Sequence, residues 1–258
     1  MSFSLLFLGT CACDYSPLLK TEYKDSFDKN ARRSSCVLLN DQILIDCGEH
    51  CLDSLRIAKI PYSKITDIVI THLHADHYNA EHILRFAEGR TNALRVWVRE
   101  DAIVPEIAGV EWIKMKLKNS YSLGDGLRLT GYIANHDQNV FPQHLLFEKD
   151  GKKFLYACDG GWFMTETYNA LKNAKLSLLV LDGTCGDYEG EWRMAEHNSI
   201  PMIRLMLPSL KNWGMIDEST QIYISHLAPS LHLPHDETSV LMAKEGVKVT
   251  YDGLKLEN

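Results

Sequence analysis

Hydrophobic and polar positions along this chain predict many short elements rather than a few long ones. Ser4–Leu8 is an apolar run that stops at Gly9 and reads as a first strand. Val37–Asp46 reads as a hairpin turning at Asn40-Asp41, with Ile43–Ile45 as its apolar return arm. Leu52–Ile60 has helical spacing and ends before Pro61. Asp67–Thr71 is a short buried strand, and Ala80–Gly89 a helix closed by Gly89. Further strands are expected at Leu94–Val98, Leu127–Ala134, Leu145–Glu148, Phe154–Ala157, Leu176–Leu181, Gln221–Ser225 and Val247–Tyr251. Helices are expected at Thr165–Ala174, Ser199–Leu210 and Asp236–Glu245. Ser199 suits a helix cap and Pro201 a first turn, whereas Pro208 should disturb the last turn.

Early hairpins followed by strands interleaved with helices predict sheets covered by helices. No linker-like stretch, charge block or repeat divides the 258 residues, so a single domain over 1–258 is expected. Composition agrees: 45% hydrophobic and 24% charged residues suit a soluble globular protein. The seven cysteines show no framework spacing, which suits reduced thiols and a cytoplasmic location. The run from Met1 to Leu8 lacks a basic flank and reads as a strand rather than a leader, and no run is long enough to cross a membrane. With 27 Lys and Arg against 34 Asp and Glu, the net charge of −7 argues against general affinity for nucleic acid or anionic lipid. If the substrate is a small anion, something other than side-chain charge must attract it.

The segment Thr71-His72-Leu73-His74-Ala75-Asp76-His77 offers that attraction. In an extended chain, residues two apart point the same way, so His72 and His74 can share one ion. Asp76 and His77, past the bend, can face a second. Imidazole and carboxylate donors without Cys suit an open site for zinc or manganese rather than a closed structural one. One loop cannot complete two coordination shells. His136, Asp159 and His226 each follow an apolar strand directly and are the candidates to complete them, with Gly160 allowing a tight turn beside Asp159.

This order, H-x-H-x-D-H followed by His, Asp and His, resembles the metallo-β-lactamase superfamily. Phe7-Leu8-Gly9-Thr10, Arg32-Arg33-Ser34-Ser35, Leu44-Ile45-Asp46-Cys47-Gly48 and Tyr251-Asp252-Gly253 extend the likeness over nearly the whole chain. They resemble the branch containing the cyclic phosphodiesterase of phosphonate breakdown and, more distantly, tRNase Z. The resemblance implies a four-layer αββα sandwich with two divalent ions at one sheet edge. It assigns His72, His74 and His136 to one ion, Asp76, His77 and His226 to the other, and Asp159 to both. Leu181-Asp182-Gly183-Thr184 and Glu196-His197-Asn198-Ser199 match a further pattern of the branch. There Asp182 would orient His197, which would protonate the leaving oxygen. His235 resembles a substrate-side histidine of the family. Two features depart from it: Cys11 and Cys13 lack the further cysteines of an extra zinc loop, and no long basic exosite of the tRNase Z kind is visible.

Two ions about 3.5–4 Å apart can share a bridging hydroxide and offset charge on a phosphate. The expected activity is therefore hydrolysis of a small phosphodiester, with a cyclic phosphate among the candidates. A lactonase or thioesterase on the same site is one rival; a thiolate leaving group would not need the Asp182–His197 acid. A non-hydrolytic, metal-dependent accessory protein is the other. Trp162, Phe163 and Trp192 are candidate pocket walls, Arg32 and Arg33 candidate phosphate contacts or surface ion pairs, and His232 a surface residue. An apolar patch on the Asp14–Asp28 loop suggests a homodimer.

Overall fold

Period-two alternation within the apolar segments sets the architecture. In the strand Ser4–Gly9, Leu5 and Phe7 face one way and Leu8 the other, and both sides are buried. The same holds for Val37 and Leu39 against Cys36 and Leu38, and for Phe154 and Tyr156 against Leu155 and Ala157. Strands apolar on both faces need a cover on each face. The computed structural model, which describes residues 3–258, supplies it as helix, sheet, sheet, helix. Met1 and Ser2 of the opening run lie outside the described residues.

The first sheet is built from β1 (Ser4–Gly9), β2 (Cys36–Leu39), β3 (Ile43–Ile45), β4 (Asp67–Val69), β5 (Leu94–Arg99) and β6 (Val110–Met115). The second holds β7 (Ser120–Gly124), β8 (Leu127–Ile133), β9 (Gln143–Lys149), β10 (Lys152–Ala157), β11 (Leu178–Asp182), β12 (Gln221–Ser225) and β13 (Lys248–Val249). The chain then returns to the first sheet as β14 (Lys255–Glu257), paired with β1. The sheets run β14-β1-β2-β3-β4-β5-β6 and β13-β12-β11-β10-β9-β8-β7. Phe3, Phe7, Phe147, Phe154 and Tyr156 fill the space between them. Helices α1 (Cys51–Ile57) and α2 (Ala80–Ala87) bring Leu55, Ile83 and Phe86 to the outer face of the first sheet. Of α3 (Thr165–Ala170), α4 (Ile200–Asn212) and α5 (His235–Ala243), the last two cover the second sheet with Ile203, Met206, Leu210 and Met242.

The fold differs from the sequence reading in three places. Pro208 does not close its helix: α4 runs through it to Asn212, because Met206 and Leu210 on either side are buried against the sheet and outweigh one lost backbone bond. β6 and β7 carry little alternation, being sheet edges with only Met115 and Leu123 fully buried, and the sequence does not announce them. The last strand stops at Val249, and β14 follows it, paired with β1 across the whole chain length. On the Asp14–Asp28 loop, Leu19 is buried and the exposed positions are mostly charged or polar.

Arg32 and Arg33, expected at the surface or on a phosphate, are buried where the chain's two ends meet. The Arg33 backbone N–H and the Thr10 hydroxyl donate to the Asp252 carboxylate at 2.8 and 2.9 Å. The Arg32 guanidinium donates to Thr10 Oγ1 and to the Thr250 carbonyl. Burial pushes the Asp252 carboxyl up to about 7, against the pull of these donors. A carboxyl raised in the folded state binds its proton more tightly there than in the unfolded chain. Its contribution to stability is therefore complete below pH 4 and lost as pH rises towards 7. Relative to D252N, the unfolding free energy of the native chain should fall by up to about 1.4 kcal/mol per pH unit across that window and level off above it. Parallel urea titrations of the two proteins from pH 4 to pH 8 measure this; equal slopes would refute it.

Candidate metal centre

Strand direction gathers the polar residues. β8 and β10 both lie antiparallel to β9, and β10, β11 and β12 are parallel, so β8, β10, β11 and β12 point the same way. Each ends at one edge of the second sheet and hands its next residues to a loop there. His136 follows β8, Asp159 follows β10, Asp182 closes β11 and His226 follows β12. Across the sandwich, β4 delivers His72, His74, Asp76 and His77 to the same edge. Asp159 and His226 sit at φ of 56° and 57°, left-handed positions that non-glycine residues rarely take and that turn their side chains inward. Gly48 makes the close approach possible. A Cβ there would lie 1.9 Å from the Asp76 carbonyl oxygen, so only glycine lets the loop after β3 touch the ligand loop. Gly160 plays a similar part against the His144 ring.

Donor atoms converge in three groups, each within 4.8 Å: His72, His74, His136 and Asp159; Asp76, His77, Asp159 and His226; and Asp159, Asp182, His197 and His226. Asp159 belongs to all three. Its Oδ2 lies 3.0 Å from His72 Nε2, 3.1 Å from His77 Nε2 and 3.4 Å from His226 Nε2. Nitrogens also face nitrogens: His72 Nε2 and His74 Nδ1 are 3.0 Å apart, His136 Nε2 and His74 Nδ1 3.0 Å, His77 Nε2 and His226 Nε2 3.1 Å.

Outer contacts decide which nitrogen is turned inward. His77 Nδ1 lies 2.7 Å from Asp46 Oδ2 and His226 Nδ1 2.8 Å from Thr184 Oγ1, so Nε2 of both faces the centre. Asp46 Oδ1 accepts from the Thr71 backbone N–H and hydroxyl, and that hydroxyl lies 3.1 Å from His72 Nδ1. One carboxylate thus orients a histidine of each of the first two groups.

These donors fit divalent metal. Asp159 Oδ1 is buried without a hydrogen-bond partner among the described residues, and acceptor lone pairs crowd together with few protons to separate them. A cation between them removes both problems. Burial, with help from the His77 charge, lowers His72, and burial lowers His136 to about 4. Both are therefore neutral ligands at pH 7. Burial alone would raise Asp159, but the charges of His226 and His197 and a hydrogen bond from His72 hold it well below the usual carboxylate range.

His197 and Asp182 stand beside this cluster. His197 Nδ1 hydrogen bonds Asp182 Oδ2 at 3.0 Å and lies 3.1 Å from Asp159 Oδ1, while Thr184 Oγ1 donates to the same Asp182 oxygen. Burial would lower the His197 imidazole, but Asp182 and Asp159 outweigh it and raise its affinity for a proton. His74, Asp76, His136, Asp159, His197 and His226 open on a cavity of about 820 Å³ lined also by Cys13, Asp14, Trp192, Arg193 and Glu196.

Of the residues singled out from sequence, the seven candidate ligands, Asp182 and His197 meet at this edge, and His235 does not. His235 is buried at the start of α5, its Nδ1 3.0 Å from the Arg32 guanidinium, beside a separate depression. Phe163 is buried and Trp162 lines a different surface, whereas Trp192 borders the cavity. His232 is not a surface residue: it is partly buried, with Nε2 2.6 Å from the Gly183 carbonyl. Asp46 and Thr184 were visible in the sequence only as flanking residues. Their signal was placement, an acid just after the apolar arm Ile43–Ile45 and a hydroxyl two residues past Asp182. Replacing Asp46 by Asn should weaken metal binding about 10–100-fold by releasing His77 and Thr71, with the fold retained. Chelator competition measures it, and unchanged affinity would show that Asp46 is structural only.

The chain belongs to the beta-lactamase superfamily, its residues 41–212 matching the beta-lactamase superfamily domain. The fold and the histidine and aspartate cluster give this member of the superfamily a site whose donors could hold metal ions. Within the superfamily, the chain is 40% identical over 122 residues to the ribonuclease Z of Borreliella afzelii, a match taking in 45% of this chain and 34% of that protein. The matched stretch is thus about a third of the relative's length. The fold is also that of a diphosphatase from the PhnP family, with a TM-score of 0.74, 20% identity, and 99% of this chain and 98% of that one covered. Zinc-bound PqqB from Methylobacterium extorquens is similar as well, with a TM-score of 0.73, 15% identity, and 99% and 100% covered.

Proposed function

We propose that this chain is a phosphodiesterase that uses two divalent ions, zinc or manganese, to hydrolyse a small phosphodiester, linear or cyclic. The observation that carries the reading is the His197–Asp182 pair set against the donor cluster. His72, His74 and His136 would hold one ion, Asp76, His77 and His226 the other, and Asp159 both. Two ions bound there would activate a water as nucleophile and offset the negative charge on the phosphate oxygens.

The chain's own residues supply the rest. Asp182 accepts the His197 Nδ1 proton and so fixes the ring and its tautomer. Nε2 is then the atom that gives a proton to the leaving alkoxide. Thr184 Oγ1 donates to Asp182 Oδ2 and lies 2.8 Å from His226 Nδ1, tying the acid to a ligand loop. The cluster's local positive charge when loaded would draw an anion despite the net charge of −7. A thioester releases a stable thiolate and does not ask for a buried, oriented acid as an alkoxide does, so the pair favours a phosphodiester over a thioester.

The deciding experiment loads the protein with metal, counts ions per chain, and compares turnover of phosphodiesters, lactones and thioesters. Two ions with diester turnover above the others support the reading. Fast lactone or thioester turnover without diester turnover replaces it with the carboxyl-ester one, and a full metal complement with no turnover favours a non-hydrolytic role.

A further inference from the structure

Trp192 is 81% exposed, although it borders the cavity that holds the donor cluster. It opens the short 3-10 turn Trp192–Ala195, which Glu191 caps by accepting the Arg193 N–H. The His197 N–H then donates to the Arg193 carbonyl at 2.9 Å, so the indole is carried on the same rigid turn that places His197. The Arg193 guanidinium sits over the indole, 5.8 Å from its ring centroid. It is also bound to Glu191 at 2.8 Å, which neutralises it. Among the described residues lining the cavity, Arg193 is the one Lys or Arg; Asp14 and Glu196 at the rim are acids.

From this we infer that Trp192 is a specificity-determining platform for a planar, uncharged ring, and that the substrate is a single-phosphate, nucleoside-bearing diester. The inference rests on the phosphodiesterase reading above and narrows it. An indole left in water at a cavity mouth gains most from a flat partner, and every nucleobase has a π-face to offer. Beyond the metal centre, the described residues lining the cavity offer a second phosphate no cation other than Arg193, which is paired with Glu191. A polyphosphate or an RNA strand would bring uncompensated charge against Asp14 and Glu196, and strand binding needs basic side chains along the backbone. A cavity of about 820 Å³ is the size for one nucleotide. Glu196, about half exposed at the rim, can accept from an amino group or a ribose hydroxyl.

Calorimetry on the metal-loaded full chain tests it with four probes: inorganic phosphate, ribose 5-phosphate, adenosine 5′-monophosphate and adenosine 5′-diphosphate. The monophosphate should bind about tenfold tighter than ribose 5-phosphate, and the diphosphate no tighter than the monophosphate. W192A should bring the first ratio to about 1, and W192F should keep most of it. Equal affinity for the base-bearing and base-free phosphates, a ratio untouched by W192A, or tighter binding of the diphosphate overturns the inference. These ratios do not depend on turnover. An intact ratio without diester hydrolysis upholds the platform and removes the chemistry, while diester hydrolysis with equal binding does the reverse. No binding by any of the four removes both.

Discussion

Asp159→Ala should lower the metal content from about two ions per chain to at most one and take diester turnover to background. Asp159 is the one residue shared by all three donor groups, and its Oδ2 lies within 3.4 Å of His72, His77 and His226 nitrogens. A residue in an outer shell costs roughly 10–100-fold when lost, and a shared ligand should cost well beyond that. The ion count separates lost binding from lost chemistry. D159N is the companion variant: it keeps the shape while removing the charge, so it should also bind metal poorly. Thermal melts of both in chelator check that the fold persists. Two tightly held ions and native turnover in D159A would mean that the centre is not bridged at Asp159.

His197→Ala should keep both ions and lose diester turnover by about 10²–10⁴-fold, the usual contribution of a positioned proton donor. The loss should grow with the basicity of the leaving alcohol. A p-nitrophenolate departs with little help, so bis(p-nitrophenyl) phosphate should suffer least and a diester with an alkyl leaving group most. Asp182→Asn should reproduce the trend at smaller amplitude, since it disturbs the Nδ1 bond at 3.0 Å but leaves the imidazole in place. The third donor group sets a competing outcome, because His197 there lies beside Asp159, Asp182 and His226. If H197A sheds an ion, His197 is a ligand and the acid must be sought elsewhere. A flat dependence on leaving group with both ions retained would equally remove its role as acid.

Much of the architecture could be read along the chain because burial on two faces leaves a plain mark. The runs Ser4–Leu8, Phe154–Ala157 and Leu176–Leu181 are continuous apolar segments, and each is a strand between two covering layers. Edges leave a weaker mark. Val110–Met115 and Ser120–Gly124 expose much of their length, so water and not packing chose their residues. Pro208, expected to disturb the last turn of a helix ending at Leu210, is carried within a helix that runs on to Asn212, because burial of Met206 and Leu210 holds it. His235 departs from its expectation in another way: its nearness to His226 in sequence says nothing of direction, and α5 turns it towards Arg32.

The identity of the donors, and their habit of following apolar strands, were settled by covalent order alone, since ligand chemistry and strand period are properties of residues and their spacing. Which edges meet was not. His77 and His226 are 149 positions apart and touch only because two sheets pack face to face with their strand ends aligned. The same packing made Asp46 an orienting group for His77, buried Arg32 and Arg33 against Asp252, and left Trp192 in water at the cavity mouth. Contacts of that kind depend on the relative placement of layers, a property of the assembled core and of no single stretch of chain.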